Sequence, residues 1–310
     1  MKTNRRLVQV KVEATPGTPA VPNPATDALM AVDFKWDNAA EPVTDEFKYA
    51  AGYYGAKDSF TVSLSRRCSF TLPVVGGGTP LGTNLPAPLL AMYRAAGHAA
   101  VVTAATSVVF NPVSDAMEAA TLLVNDDGFL RRMTYCRGDV NWVFEEGKVP
   151  RANFSLLGTY ETPTDQAMPA ATMPTLQKPQ GFNKSNSVVT LGALALKCQR
   201  VEIRAGRQNS YRNFAGAEDV VPTDAEAQAI LKFELPTVAQ SSVYADLETN
   251  QVRALSLTHG QVAGNRVAFG AAAAQLVTLS EEEDRGILMV TATYNLKPQA
   301  GNDQYLITLT

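Results

Sequence analysis

The stretch Arg151-Ala-Asn-Phe-Ser-Leu-Leu-Gly-Thr-Tyr160 indicates a duplicated β domain, because a similar stretch, Arg285-Gly-Ile-Leu-Met-Val-Thr-Ala-Thr-Tyr294, follows 134 positions later. Upstream, Phe70-Thr-Leu-Pro73 recurs at an offset of 163 as Phe233-Glu-Leu-Pro236. The offsets differ by 29, so the first copy carries an insertion of about that length between these landmarks. Two copies of one domain in a single chain are typical of proteins that build symmetric rings from fewer chains. The repeat therefore favours assembly over catalysis.

Apolar and polar residues alternate with a period of two through both copies. The longest run has its apolar positions at Phe60, Val62, Leu64, Cys68, Phe70 and Leu72. This run, Ser59 to Leu72, is either one long half-buried strand or two strands joined at a kink near Arg66 and Arg67. Antiparallel sheets with one covered face produce such alternation. The sequence therefore predicts a mainly β protein.

One helix is predicted, in the region where the first copy is longer. Asn84 can cap its N-terminus, Pro86 and Pro88 suit its first turn, and Gly97 suits the position after its end. Its apolar stripe, at helical spacing, is Leu89, Met92, Tyr93 and Ala96. The second copy has no equally good counterpart, and Ser242 to Leu247 is a candidate remnant turn. A further segment, Asp224 to Ile230, has helical propensity, but its register with the Ser59–Leu72 run favours extended structure.

A proline-rich segment separates the two copies. Thr162 to Pro174 is rich in proline and small residues and carries little apolar pattern, which predicts an extended, semi-rigid linker. At about 150 residues per domain, a chain of 310 residues also predicts two domains. We therefore divide the chain into a first β domain at 1–161, a linker at 162–184 and a second β domain at 185–310.

The composition excludes several classes of protein. The chain is 45% apolar and 18% charged, so each half can bury a core. A net charge of −3 argues against a general nucleic-acid binder, which needs a basic surplus. The three cysteines lack metal-ligand spacing and are expected to be reduced and mostly buried. No segment approaches the roughly 20 apolar residues that span a bilayer. We expect synthesis in a cytoplasm and no membrane insertion.

Candidate catalytic, cofactor and metal residues are not found. The histidines, His98 and His259, have no neighbouring ligand at metal spacing, and a capping or surface role is the simpler interpretation. The run Gly76-Gly-Gly78 lacks the Lys-Ser/Thr of a phosphate-binding loop. We therefore predict a protein that is not an enzyme and that uses no cofactor.

Two segments remain as candidate assembly sites. The loop Val74 to Gly82 follows a strong strand, and its residues Gly76, Gly77, Gly78, Thr79 and Pro80 are a candidate inter-ring or inter-subunit loop. We expect them to order when they pack on the next ring or on a neighbouring chain. The acidic cluster Glu281, Glu282, Glu283 and Asp284 precedes the final strong strand. This cluster is either a solvated turn or an acidic patch that lines the lumen or one face of an assembly.

Several segments, in order along the chain, resemble the major tail tube proteins of long-tailed, non-contractile bacteriophages. These segments are Glu13-Ala-Thr-Pro-Gly-Thr18, Pro22, Asp27-Ala-Leu29, Asn125-Asp-Asp-Gly128, Arg137-Gly-Asp-Val-Asn-Trp142, Glu146-Gly-Lys-Val-Pro-Arg151, Phe154-Ser-Leu-Leu-Gly-Thr-Tyr160, Thr293-Tyr294 and Gly301-Asn-Asp-Gln-Tyr-Leu-Ile-Thr-Leu309.

The resemblance implies two tandem tail-tube-like domains, each a β-sandwich or open barrel with at most one flanking helix. It implies rings of six such domains, stacked into a tube through which double-stranded DNA passes. With two domains per chain, we expect three chains per ring with pseudo-sixfold symmetry. The implied partners are the chain itself and the tape measure, tail terminator and distal tail proteins, in a virion tail assembled in the bacterial host cytoplasm. The alternative is a β-sandwich carbohydrate- or receptor-binding virion or surface protein, for which the tyrosines at 49, 53 and 54 would be a candidate exposed cluster.

The charge of the lumen is also constrained. A basic wall would hold DNA through many phosphate contacts, so passage needs a wall that is neutral or acidic. We expect the inner surface to carry more Asp and Glu than Lys and Arg. We expect the arginines Arg66, Arg67, Arg131 and Arg132 to lie mostly at subunit contacts or on the outside.

Overall fold

Strands dominate the computed structural model, which describes residues 5–47, 54–78, 85–238, 240 and 243–310. The predicted mainly β fold is confirmed. The strands are β1 (Arg6–Val12), β2 (Ala28–Leu29), β3 (Val32–Phe47), β4 (Asp58–Pro73), β5 (His98–Thr103), β6 (Ser107–Pro112), β7 (Ala120–Asp126), β8 (Phe129–Glu145), β9 (Arg151–Tyr160), β10 (Thr164–Asp165), β11 (Ser187–Leu191), β12 (Leu194–Leu196), β13 (Cys198–Arg204), β14 (Arg207–Phe214), β15 (Ala217–Ala225), β16 (Gln228–Glu234), β17 (Val252–His259), β18 (Val267–Asp284), β19 (Ile287–Leu296) and β20 (Leu306–Leu309), and the helices are α1 (Ala87–Ala95) and α2 (Val243–Thr249).

One antiparallel sheet, here called the main sheet, runs through both halves of the chain. Its strand order is β3-β4-β9-β8-β13-β16-β19-β18. The β8–β13 ladder joins the halves, with Phe144 opposite Val201 and Trp142 opposite Ile203. Because successive side chains point to opposite faces, one face of this sheet is apolar and buried and the other is polar.

A second layer covers the apolar face. In the first half it has the order β10-β8-β7-β1-β2, and in the second half the order β5-β6-β20-β18-β17-β11-β12. The strands β8 and β18 are long enough to pair in both layers, and neither layer closes on itself. A hydrophobic core that includes residues of both halves and the buried side of α1 lies between the layers.

Both halves pair their strands in the same order. The first half has β1-β7-β8-β9-β4-β3 and the second has β11-β17-β18-β19-β16-β13. The two repeat offsets found in the sequence do not match exactly. Phe70 lies opposite Phe154, so the offsets of 163 and 134 would place Phe233 opposite Leu288, but Phe233 lies opposite Val290, two residues further on. A shift of two keeps every side chain on its own face. The division into 1–161, 162–184 and 185–310 stays a prediction, and the β8–β13 and β6–β20 ladders cross it.

The helices refine the sequence interpretation. Helix α1 begins after Pro86, its predicted stripe is buried, and Gly97 takes a positive φ of 76° just after its end. Asn84 and Ser242 lie outside the described residues. The second half does keep a helix, α2, so the extra length of the first half is the β5–β6 hairpin rather than the helix.

The ambiguous runs form strands. Ser59 to Leu72 lies within the single strand β4, without a break at Arg66 and Arg67. Asp224 to Ile230 is extended, since it covers the end of β15 and the start of β16. Pairing with neighbouring strands outweighs the helical propensity of this segment.

The linker lies along the first half without regular structure, apart from β10. Backbone N–H groups of Gln166 and Thr172 donate to the carbonyls of Gly128 (2.9 Å) and Pro24 (3.1 Å). No helix in the described part of the chain is long and apolar enough to cross a membrane.

Candidate assembly surfaces

The polar face of the main sheet carries a row of hydrogen-bonding side chains that crosses both halves. Successive cross-strand neighbours in this row are Thr71, Asn153, Asn141, Arg204, Gln228, Asn295 and Gln275. Within the row, Thr71 donates to Asn153 (2.9 Å) and Gln228 donates to Asn295 (3.1 Å). The matching row on the opposite face is the core, from Leu72 through Trp142 to Leu276.

Charges on this polar face are paired with one another. Arg200 and Arg204 both donate to Glu202, at 2.6 and 2.7 Å. Burial opposes ionisation of Glu202, but hydrogen bonds from Asn141 and Arg204 outweigh it and lower its pKa. Lys232 similarly bridges to Glu282 at 3.0 Å. The face therefore offers few unneutralised cations to a phosphate backbone.

The seam between the halves is aromatic. The ring centroid of Trp142 in β8 lies 5.9 Å from that of Tyr305, which follows the loop after β19. His98, at the start of β5, accepts a hydrogen bond from the Tyr305 hydroxyl at its Nε2 (2.8 Å), and its Nδ1–H donates to the carbonyl of Tyr93 (3.2 Å). Burial lowers the pKa of His98 to about 3. The imidazole is therefore neutral and serves as a structural bridge between the halves.

The glycine loop packs against the second half of its own chain. The N–H of Gly76 donates to the Asn265 side chain (3.0 Å), and the N–H of Gly78 donates to the carbonyl of Gly264 (2.7 Å). A Cβ added at Gly76 would lie 2.4 Å from the Cα of Asn265, so only glycine fits there. Thr79 and Pro80 lie outside the described residues. A contact of this loop with another chain stays a prediction.

The β14–β15 hairpin, here called the second arm, lies on the first half. It contacts β8 and β9, and its Val220 is fully buried. Arg137 of β8 donates to the carbonyl of Val220 at 2.7 Å. Arg207, at the base of this arm, donates to the carbonyls of Gly97 (3.0 Å) and Val113 (2.8 Å). Arginine side chains that donate to backbone carbonyl groups thus join the second half to the first.

The outer part of the β3–β4 hairpin, here called the first arm, is exposed by contrast. It comprises the described residues 41–47 and 54–65, which include Val43 (55% exposed), Phe47 (51%), Phe60 (48%) and Val62 (67%). Phe47 and Phe60 pack edge to face with their ring centroids 5.3 Å apart. Large apolar side chains grouped on an exposed hairpin are typical of an interaction surface. Of the tyrosines considered in the sequence, Tyr54 is fully exposed, and residues 49 and 53 lie outside the described residues.

The acidic cluster is the end of a strand, not a turn. Glu281, Glu282, Glu283 and Asp284 are the last four residues of β18, and the turn is formed by Arg285 and Gly286. Both turn residues have positive φ, 56° and 75°, as a two-residue hairpin turn requires. Glu282 and Asp284 face Lys232 on the polar face, whereas Glu281 accepts a hydrogen bond from Tyr244 of α2. Hydrogen bonding from Gln199 and the charge of Lys232 lower the pKa of Asp284.

The main sheet ends in two open edges. Within the described ranges, β3 pairs only with β4, and the acidic end of β18 pairs only with β19. Open edges present unpaired backbone donors and acceptors to any chain that approaches.

The four arginines occupy different environments. Arg66 is 1% exposed and stacks on Trp36 and Tyr160, so it is an exception within the group, and the expectation that the four arginines lie mostly at subunit contacts or on the outside stays a prediction. Arg67 pairs with Glu41 (3.0 Å), Arg131 with Asp126 (2.7 Å) and Arg132 with Glu161 (3.3 Å).

The cysteines and histidines have structural environments. Cys68 and Cys136 are buried, Cys198 is half-buried, and all three are free thiols. Within the described ranges, no group of three or more His, Cys, Asp or Glu side chains is placed to hold a metal ion. His259 is buried, and its Nδ1 lies 2.8 Å from the Ser187 hydroxyl.

Sequence reasoning missed the residues that join the halves, above all Tyr305, Arg207 and Asn265. Their partners lie 94 to 207 positions away. Alternation reveals which face a residue belongs to but not which distant residue it meets.

Comparison with known proteins agrees with this geometry. A family model described as phage tail tube protein matches residues 3–304, nearly the whole chain. No curated protein matches the sequence. The fold, with its open sheet edges, and the extent of the match agree on a structural component of the virion tail. This chain belongs to the phage tail tube protein family.

Proposed function

We propose that this chain builds the tail tube as stacked rings of three chains, in which six similar β domains give pseudo-sixfold symmetry. The observation that carries this proposal is the β8–β13 ladder. It joins the two halves edge to edge into one sheet that still has an open edge at each end. Repetition of the same junction from chain to chain closes a ring and leaves no sheet edge open.

The equivalent strands support one particular junction between chains. In the shared pairing order, β18 corresponds to β8 and β3 corresponds to β13. Cys68 and Leu231, which are 163 positions apart, lie opposite Trp36 of β3 and Val201 of β13. We therefore propose that the end of β18 pairs with the first half of β3, Val32 to Asn38, in the next chain. The duplicated chain makes every second junction covalent and leaves three to form by assembly.

The two arms support the same arrangement. The second arm lies on β8 and β9, at the junction within the chain. The first arm has the same place in the repeat but exposes its apolar side chains. We propose that it lies on β18 and β19 of the neighbouring chain, where it would bury Val43, Phe60 and Val62.

The polar face of the main sheet is the proposed wall of the lumen. Its row of amide and hydroxyl groups and its paired charges would let double-stranded DNA pass without retention during ejection. Arg67 then lies on the lumen side, where Glu41 neutralises it. The tape measure, tail terminator and distal tail proteins are the proposed partners, and the proposed place of assembly is the host cytoplasm.

Electron microscopy of concentrated protein tests this function. We expect rings, or tubes of stacked rings, with three chains in each ring. A wild-type chain that remains monomeric at all concentrations would contradict the proposal.

A further inference from the structure

The seam between chains differs chemically from the seam within a chain. On the basis of the proposed ring, we infer that the acidic end of β18 packs against an arginine cluster on the first half of the next chain, Arg5, Arg6, Arg131 and Arg132. Within the chain, the equivalent seam is the aromatic contact of Trp142 and Phe144. The partner is thus a second copy of this chain, recognised by charge.

Irregularities in the ladders fix which residues correspond. The β8–β9 register shifts between Thr134 and Arg137, and the β18–β19 register shifts between Leu276 and Thr278. Counting from the first residue after each shift, the position of Trp142 corresponds to that of Glu283. By the same count Val140 corresponds to Glu281. Carboxylates in β18 therefore replace the buried apolar side chains of β8.

Parity separates the acidic side chains into two pairs. Successive side chains of a strand point to opposite faces. Glu282 and Asp284 lie on the polar face with Lys232. Glu281 and Glu283 therefore point to the other side, which in β8 carries Val140 and Trp142. Both are exposed in the single chain.

The second half shows what covers this side of β8. Trp142 meets Tyr305, and Phe144 meets His259 with the ring centroids 5.9 Å apart. His259 is the last residue of β17 and pairs with the first residues of β11 and β18. In the first half, Asp126 has this place, because it is the last residue of β7 and pairs with the first residues of β1 and β8. The same count matches Phe144 with Arg285, so Arg285 would be the residue that meets Asp126 in the next chain.

Arginines surround Asp126. Arg6 and Arg131 both pair with it, and Arg5 pairs with the neighbouring Asp127 at 2.9 Å. Arg132, the next residue of β8, pairs with Glu161. Four arginines thus share three carboxylates, and Arg5 is 62% exposed. Arg6 donates to the carbonyl of Phe34 at 2.9 Å, and Arg131 stacks on Trp36. The cluster therefore adjoins the part of β3 that would pair with the end of β18, and it has a positive surplus there.

The charges make a basic partner the favourable one. A carboxylate covered by apolar surface loses its hydration without compensation, whereas an arginine offers charge-assisted hydrogen bonds. The stability of the seam within a chain should then be independent of salt, because that contact is aromatic. Seams between chains should weaken as salt rises, because the Debye length falls from about 10 Å at 0.1 M to about 3 Å at 1 M.

A charge swap tests the seam. The variant Glu281→Lys/Glu283→Lys should fold, since both side chains are exposed and the only contact described for them within the chain is the surface hydrogen bond from Tyr244 to Glu281. The single variant Glu283→Lys keeps that hydrogen bond and should unfold like the wild type. The concentration of protein needed to form rings should rise at least about tenfold in the double variant. The loss of about 1.4 kcal/mol of contact free energy is sufficient for that factor. Adding Arg5→Glu/Arg132→Glu should restore ring formation. The matched control, Asp115→Lys, reverses an exposed carboxylate outside the seam and should assemble normally.

Sedimentation velocity at 0.05, 0.15 and 0.5 M salt measures each variant. If the wild type forms rings and the double lysine variant forms them equally well, the charged seam is overturned while the ring stands. If the lysine variant fails and the swap does not restore it, the pairing with the arginine cluster is overturned. A wild type that never assembles overturns the ring and the seam together.

Discussion

At the scale of single residues, His98 shows how burial fixes a protonation state. Its neutral ring accepts from Tyr305 and donates to Tyr93, and it thereby links the first half to the C-terminal segment. The ordinary histidine pKa of 6.5 falls to about 3 because the charged form would lose its hydration. The sequence predicted a capping or surface role, because no neighbouring residue in the chain indicated this partner.

His98 predicts a loss of stability in acid. The unfolded chain binds a proton below pH 6.5, whereas the folded chain does not until about pH 3. Its contribution to stability is therefore complete above pH 6.5 and is lost as the pH falls, by up to about 1.4 kcal/mol per pH unit. Urea unfolding of the wild type and His98→Gln at pH 7 and pH 5 measures the effect. The variant should be less stable at pH 7 but lose less stability on acidification. Equal losses in the two proteins would contradict this role.

Gly76 tests the close approach of the glycine loop to the second half. In Gly76→Ala, the added methyl group would meet backbone atoms of Gly264 and Asn265, which cannot move aside as a side chain can. We expect a loss of about 1–3 kcal/mol of unfolding free energy. The control is Gly270→Ala, where a Cβ meets nothing within 4 Å. Thermal unfolding compares them, and equal stabilities would contradict the packing described here.

At the scale of elements, alternation predicted the strands but not their partners. The prediction that alternate residues of the Phe70 and Phe154 strands face the core was correct, because one face of the sheet is buried in the core. The helix was expected in the region where the first copy is longer, and it lies there together with the β5–β6 hairpin, which has no counterpart among the described residues of the second half. The acidic cluster was ambiguous in the sequence, because a run of charged residues is typical of a solvated turn. In the structure the turn lies just after the cluster, at Arg285 and Gly286, which have positive φ values.

The arms yield a prediction with an internal control. In the first arm, Val43→Ser/Val62→Ser should change the unfolding free energy of the isolated chain by no more than about 0.5 kcal/mol, because both side chains are exposed. The same variant should assemble poorly. In the second arm, Val220→Ser places a hydroxyl in a fully buried site and should destabilise the chain by about 1–3 kcal/mol. Normal tubes from the first variant would show that the first arm is only a surface feature.

At the scale of the whole molecule, the polar face would give the proposed DNA conduit a wall without a basic surplus. The net charge of −3 permitted this expectation, but only the register shows which side chains share the face. Lysines placed in the amide row should create retention. We expect tubes of Asn153→Lys/Asn295→Lys to bind linear double-stranded DNA, with binding lost as salt rises, and wild-type tubes to bind little. Filter binding measures both, and strong binding by wild-type tubes would contradict a low-adhesion lumen.

Ring stoichiometry decides whether the β8–β13 junction within the chain is repeated between β18 and β3 of successive chains. A reconstruction of the assembled tube by electron cryomicroscopy should show rings of three chains, with β18 of each chain hydrogen-bonded to β3 of the next. Six chains per ring, or rings in which these two edges stay unpaired, would contradict it.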